Sequence, residues 1–579
     1  MKLKKRPRGR SFSLRTTASG VMLKGVGKLR YIISPTRLGR DLPLSTSVIS
    51  AMLSSTSAYL LKPGAGPVIS GLSVGHAAIG AQLTIVGSGF GSSRGTSTVT
   101  FGGTAPGSYV SWSATGTQIA VTVPGLIPGA ANIVVTVAGV ASNVATFSVD
   151  FLASQYRDAV TDAGIDNTGA TSVTAAIGSA ITAYKAAGKF GLYFPVGTYL
   201  LSTTLAVPSG TVLVGPANAG VGPGTGTPPY SLQTQANMPW LKGKVVYDSN
   251  SGFADLKLGA DGVLFDHKDQ LSTVNVAFTR CHIRGGGSET MLIGSYRGSY
   301  PRSVNGLTFT NCEIERSSAS GADNIAIYAS YSATPVNLQN ITFSGCNFGT
   351  ANAAGLTGNT RMNIECWTGE GSVGAVNHYE YLTFSGCEVQ IGSGHGIDFS
   401  NYGGAGGHTY SGRSHHLYVD GCYFHGATAA TDGWGYGINL EWPDYVYVTN
   451  NYFKRCKVAG IQCDSNYGWP LAATWEFTGN TFDWDTAEGG MTAGDAVIYT
   501  RGGGALITGN TVLCHGNYTS GACFEIDGSG GSGTGIGTAT GNVVTGNTFN
   551  LGVTYPTTTV SQVNGATGNT ITPNTTTRS

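Results

Sequence analysis

The chain has 579 residues, 88 of them glycine, with 11% charged side chains and a net charge of +2. Its length allows several domains, and no apolar run approaches the roughly 18 residues that a spanning helix needs, so a soluble protein without membrane insertion is expected. The near-neutral total conceals an asymmetry: residues 1–66 hold 13 Lys or Arg against one acid, Asp41, and the remainder is acidic by ten charges.

The basic segment 1–66 shows no clear periodicity and ends in LKPGAGP, a Pro/Gly linker. MKLKKRPRGR has the charge of a signal's opening but no uninterrupted apolar core follows it, so export by a signal is not expected. Opposite in sign to the body, the segment reads as an arm that attaches to a larger assembly. From 67 to 150, short alternating strands are broken by Gly and Pro turns at regular spacing, which predicts a small β-sandwich. PVISGLSV, LTIVGSGFG and VTVAGVASNVATFSV within it resemble the IPT/TIG immunoglobulin-like family.

Residues 173–189, VTAAIGSAITAYKAAGK, place Val173, Ile177, Ile181 and Tyr184 on one helical face. A helix here would close the end of whatever follows. With FGLYFPVGTYL and AVPSGTVLVG, the stretch 157–216 resembles the pectate-lyase-like superfamily, which implies a right-handed parallel β-helix capped by a short α-helix. The upstream DAVTDAGIDNTGA departs from the family's usual pattern.

A repeat then dominates. VAFTRCHI, LTFTNCEI, ITFSGCNF, LTFSGCEV, LYVDGCYF, VYVTNNYF, WEFTGNTF, ALITGNTV and NVVTGNTF are anchored at Cys281, Cys312, Cys346, Cys387, Cys422, Asn451, Asn480, Asn510 and Asn547. Their spacing, 29 to 41 residues, suits coils with variable loops. Alternating apolar residues make each copy a half-buried strand, and strands that recur in one orientation must pair in parallel, giving a β-solenoid over 151–579. The five cysteines at one repeat position stack about 4.8 Å apart, wider than a disulfide's Cβ separation. They read as buried, reduced packing groups, consistent with assembly in a cytosol.

Between the anchors runs a second repeated strand: NIAIYAS, NIECWTG, GIDFSNY, GINLEWP, GIQCDSN, AVIYTRG and CFEIDGS. Alternation puts Ile325, Ile364, Ile397, Ile438, Ile461, Val497 and Phe524 inside, beside Ile327, Cys366, Phe399, Leu440, Cys463, Tyr499 and Ile526. One outward column is Ala326, Glu365, Asp398, Asn439, Gln462, Ile498 and Glu525; the other is Tyr328, Trp367, Ser400, Glu441, Asp464, Thr500 and Asp527. Glu365, Asp398, Glu441 and Asp464 are therefore candidate catalytic carboxylates. The diagonal pair Asp398 and Glu441 is expected about 8 Å apart at its roots, within the roughly 6.5–9.5 Å used for inverting glycoside hydrolysis. Trp367, Tyr402, Trp434, Tyr436 and Trp442 offer flat faces for sugar rings, and His395 and Arg413 share the stretch. An outward acid on a strand is also the ordinary content of a solvated face. No Cys/His spacing resembles a zinc motif, so no metal site or cofactor is expected, although Asp483 and Asp485 of DWD share a strand face and form a minimal calcium ligand set.

A β-helix with a basic arm and an Ig-like spacer resembles bacteriophage tailspikes and related virion appendages. That resemblance implies a homotrimer, a virion location, other virion proteins as partners of residues 1–66, and a β-helix that binds and often cleaves bacterial surface polysaccharide; the paired carboxylates favour a glycoside hydrolase over a lyase. No nucleic-acid partner is expected. A non-enzymatic virion fibre and an exported bacterial polysaccharide lyase or hydrolase are the rival readings.

Overall fold

The computed structural model describes residues 66–126, 129–216 and 238–260, and from 265 to 578 the strands with the tight turns between the first two sheets of the solenoid. Near the N-terminus it describes the strands Lys2–Lys4, Ser11–Thr17, Gly20–Lys24 and Arg30–Ile33, which pair antiparallel in that order. Residues 67–150 form the expected sandwich. Val68–Leu72, Gln82–Ser88, Gln118–Thr122 and Ser108–Trp112 make one sheet in the order Val68–Leu72, Gln82–Ser88, Gln118–Thr122, Ser108–Trp112. Leu83, Ile85, Val99, Ile119, Ile133 and Phe147 are buried between it and two smaller sheets.

Beyond the sandwich, each coil between the first and the last contributes one strand to each of three parallel sheets. Sheet I has fourteen strands from Tyr156–Asp158 to Thr570–Ile571, sheet II fourteen from Thr168–Ser172 to Thr575–Arg578, and sheet III twelve from Leu205–Val207 to Thr558–Val563. The chain is a parallel β-helix with a sandwich in front. The helix Thr174–Ala186 buries Ile177, Ile181 and Tyr184, and the Tyr184 hydroxyl accepts a hydrogen bond from the Val212 N–H at 3.1 Å.

The repeat anchors lie at the turn from sheet I to sheet II. The residue before each adopts a left-handed conformation, with φ from 50° at Arg280 to 68° at Gly479, which is why Gly or Asn usually stands there. The anchor side chain then enters the interior. Cys312, Cys346 and Cys387 donate their thiol hydrogens, at 3.5 Å, to the carbonyls of Phe278, Phe309 and Phe343. Asn451, Asn480 and Asn510 donate their amides to the corresponding carbonyls of Val419, Val448 and Phe477, at 2.8–2.9 Å. Thiol gives way to amide along the ladder because both are small donors aimed at one backbone acceptor. All ten cysteines are buried and free. Beside them Phe253, Phe278, Phe309, Phe343 and Phe384 form a stack with centroids 4.7–5.0 Å apart, the coil repeat expressed in rings.

At Gly396, Gly437 and Gly460, where three successive coils enter sheet III, the chain passes too close to its neighbours for a side chain. A Cβ added at Gly437 would lie 2.6 Å from the Gly460 carbonyl and 2.7 Å from the Phe453 ring. The coil at 496 carries Ala-Val-Ile at this corner, and all three are buried. Alternation counted from Val497 is therefore displaced by one. Ile498 pairs with Ile461 and Phe524 in the inward column and Thr500 with Cys463 and Ile526, while Tyr499 follows Gln462 in the outward column. The expected positions of Val497, Ile498, Tyr499 and Thr500 are corrected accordingly.

Candidate functional site

The strands Met362–Thr368, His395–Asn401, Tyr436–Glu441 and Ala459–Asp464 lie side by side in sheet III. Their register brings Glu365 beside Asp398, Asp398 beside Asn439, Ser400 beside Glu441, and Glu441 beside Asp464. These pairings are the ones the alternation implies. The surroundings differ from an open face: Glu365 is 7% exposed, Asp398 2% and Asn439 5%. The Tyr328 hydroxyl, one coil earlier, donates to Glu365 Oε2, and the Asn439 amide donates to Asp398 Oδ1 at 2.7 Å. With the Asn439 nitrogen committed to a carboxylate, its Oδ1 is a buried acceptor that has no hydrogen bond among the described residues. Beneath them, the Cys366 thiol is pushed well up by burial and by the charges of Asp398 and Glu365.

His395 and Tyr436 stack, with centroids 4.8 Å apart, and both are at least nine-tenths buried. They precede the corner glycines Gly396 and Gly437 and flank the acidic column from the sheet II side. Trp367, Glu441 and Asp464 belong to described strands, but their side chains lie outside the described residues, as do Tyr402, Arg413, Trp434 and Trp442 altogether. Further along, Asp527 accepts hydrogen bonds from Tyr499 at 2.5 Å and Asn564 at 2.7 Å, with Arg501 Nε at 3.4 Å. That carboxylate is tied into a local network.

Residues 158–398 match the model of the rhamnogalacturonase A/epimerase, pectate lyase-like family, and residues 67–151 match the IPT/TIG domain. The chain joins an IPT/TIG domain to a pectate-lyase-like β-helix. No curated protein matches it. Among solved structures, a stretch of 15% of the chain is 34% identical to 13% of the γ-CGTase of Alkalophilic bacillus clarkii, with a TM-score of 0.14, so the chain spans only a small part of that protein. The Dettilon tailspike protein is 16% identical over 72% of this chain and 68% of its own, with a TM-score of 0.38. The catalytic unit of a GH87 α-1,3-glucanase from Streptomyces thermodiastaticus is 14% identical over 86% and 88%, with a TM-score of 0.37. Likenesses this loose carry no information about chemistry.

The β-helix also holds polar side chains that the reading by alternation passed over, on the outer face of sheet II. One position after the anchors stand His282, Glu313, Asn347, Glu388 and Tyr423, a column confirmed by register, and all five are more than nine-tenths buried. Glu388 Oε1 meets His425 Nε2 at 2.9 Å, and Asp483 accepts the Tyr452 hydroxyl at 2.6 Å, so one half of the Asp483/Asp485 pair already serves a neighbour. The signal was available: CHIR, CEIE and CEVQ place polar residues at the first and third positions after each cysteine.

Proposed function

We propose that the protein is a tailspike-like virion component that binds bacterial surface polysaccharide along the outer face of sheet III and depolymerises it by hydrolysis. Asp398 and Glu441 act as the acid–base pair, with Glu365 and Asp464 beside them. The observation that carries this reading is the burial of Glu365 and Asp398 in register on adjacent coils. Carboxylates on a merely solvated face would be exposed. Removing them from water is costly unless they are held by donors, and Tyr328 and Asn439 hold these two in fixed orientations. The diagonal from Asp398 to Glu441, one coil and two residues, keeps the root separation near 8 Å. That distance leaves room for a water between the two groups, as inversion requires.

Residues 1–66 supply the attachment to other virion proteins, supported by their 13 basic side chains against an acidic body, and a homotrimer is proposed on the tailspike resemblance alone. The test is incubation of the full chain with capsular polysaccharide or lipopolysaccharide, followed by size analysis of the sugar. Release of saturated oligosaccharides by the wild type, abolished in Asp398→Asn and Glu441→Gln variants that remain folded, supports the hydrolase. Unsaturated products would replace it with a lyase. Binding without cleavage would leave an adhesive fibre.

A further inference from the structure

The closest convergence of metal-ligating side chains among the described residues lies away from sheet III. The sheet II strands His282–Gly285 and Glu313–Arg316 pair with His282 opposite Glu313 and Arg284 opposite Glu315. Alternation puts these four side chains on the outer face, yet His282, Glu313 and Glu315 are all more than nine-tenths buried. His282 Nε2 lies 3.0 Å from Glu315 Oε1, and Arg284 Nη1 reaches the same oxygen at 3.0 Å. One nitrogen of His282 and one oxygen from each carboxylate all fall within 4.8 Å of one another.

We propose that His282, Glu313 and Glu315 form a site for one divalent transition-metal ion, Zn²⁺ or Mn²⁺. An imidazole with two carboxylates is a donor set for these ions, whereas the hard cations Ca²⁺ and Mg²⁺ take oxygen alone. With bonds of about 2.0–2.2 Å the donors of a tetrahedral site stand roughly 3.4 Å apart, so His282 Nε2 and Glu315 Oε1 open slightly from 3.0 Å and the Glu313 oxygen, within 4.8 Å, closes in. Rigid placement favours it, because the donors come from strands locked in register on adjacent coils rather than from loops. The two carboxylates supply the negative charge that a divalent ion needs, and the neighbouring cations act against it. Arg284, whose side chain is about one-third exposed, offsets one carboxylate and becomes an outer partner of Glu315. Lys257, one coil earlier, has its ammonium over the Trp240 ring at 4.5 Å. Binding requires His282 to present the Nε2 lone pair, with its proton on Nδ1. The ion would clip two consecutive coils together, independently of the sheet III carboxylates.

The full chain, stripped with a chelator, is titrated calorimetrically with Zn²⁺, Mn²⁺ and Ca²⁺. Saturable binding of one Zn²⁺ or Mn²⁺ per chain, with a rise in unfolding temperature and no comparable effect of Ca²⁺, is expected. His282→Gln and Glu313→Gln should each weaken it by at least about tenfold. The Co²⁺-loaded protein should show ligand-field bands without thiolate charge transfer, which separates this site from the ten cysteines. Polysaccharide depolymerisation should be the same with and without the metal. The proposal is overturned by the absence of saturable binding, by a preference for Ca²⁺, by thiolate bands, or by unchanged affinity in Glu313→Gln, which removes a charge while preserving shape and decides the matter alone if His282→Gln does not fold.

Discussion

Asn480 Oδ1 accepts two hydrogen bonds from Asn451, one from the backbone N–H and one from the side-chain amide, both at 3.0 Å. Each asparagine in this part of the ladder thus joins the coil before it to the coil after it, inside the protein. At the junction with the cysteine half, Asn451 Oδ1 accepts from the Cys422 N–H at 2.8 Å, and the Cys422 sulfur accepts from the Cys387 N–H at 3.4 Å.

Replacing Asn480 with Ala strands the Asn451 donors and the Val448 carbonyl, and each buried group left without its partner costs about 1–3 kcal/mol. A loss of about 3 kcal/mol or more is expected in denaturant unfolding. Asn480→Cys should lose clearly less, since a thiol can donate to the carbonyl and accept from the backbone N–H as Cys387 and Cys422 do. Equal losses for the two variants would refute the shared role of thiol and amide.

Two glycines should respond in opposite ways. Gly437→Ala forces a Cβ against the Gly460 carbonyl and Phe453, and overpacking of this kind costs about 1–3 kcal/mol. Gly421, with φ +63° and open space around its Cβ position, occupies a turn site where Asn311 and Asn450 stand in other coils. Gly421→Asn should leave the unfolding midpoint nearly unchanged.

Acid should loosen the sheet II cluster through Glu315. Burial raises its pKa, but the hydrogen bond from His282 and the charges of His282, Arg284 and Lys257 outweigh that and hold it below the ordinary glutamate value of 4.5. A depressed carboxyl contributes stability above its unfolded pKa and loses it as pH falls through the folded one. In chelating buffer, the stability difference between wild type and Glu315→Gln should shrink as pH falls below the ordinary glutamate value. A difference that grows on acidification would reverse the assignment.

The thiols should be silent in the native state. Burial pushes Cys281, Cys346, Cys366, Cys422 and Cys456 upward, away from the reactive thiolate. A thiol reagent should react at none of the ten until denaturant is added, and at all ten afterwards. Reaction of a ladder cysteine in the folded protein would contradict the packing.

In the proposed hydrolase, Asp398→Asn and Glu441→Gln should each lower turnover by about 10²–10⁴ with unfolding little changed. Tyr328→Phe removes only the donor to Glu365 and should cost less than either. Full activity in both carboxyl variants would eliminate the site.

The solenoid was readable because its anchor has one job at each turn, so the residue recurs wherever the turn does. The columns Glu365–Asp398–Asn439 and Ser400–Glu441–Asp464 followed from a period of two along each strand. The rule failed at Ala496–Val497–Ile498, where the chain rounds a corner and successive side chains both turn inward. Burial of Glu365 and Asp398 was not readable, since a period of two tells which face a side chain takes and not how far its surroundings there cover it. The cluster at His282, Glu313 and Glu315 went unseen because His282 precedes the two glutamates by 31 and 33 residues and meets them only after the anchors are aligned.

The turn between sheets I and II repeats with little change, while the spacing between anchors ranges from 29 to 41 residues. All the added length is therefore spent at the other two corners. Such a molecule separates its spine from its display: insertions and deletions on the sheet III side can remodel which ligand is recognised, one coil at a time, without altering the pitch on which the remaining coils are threaded.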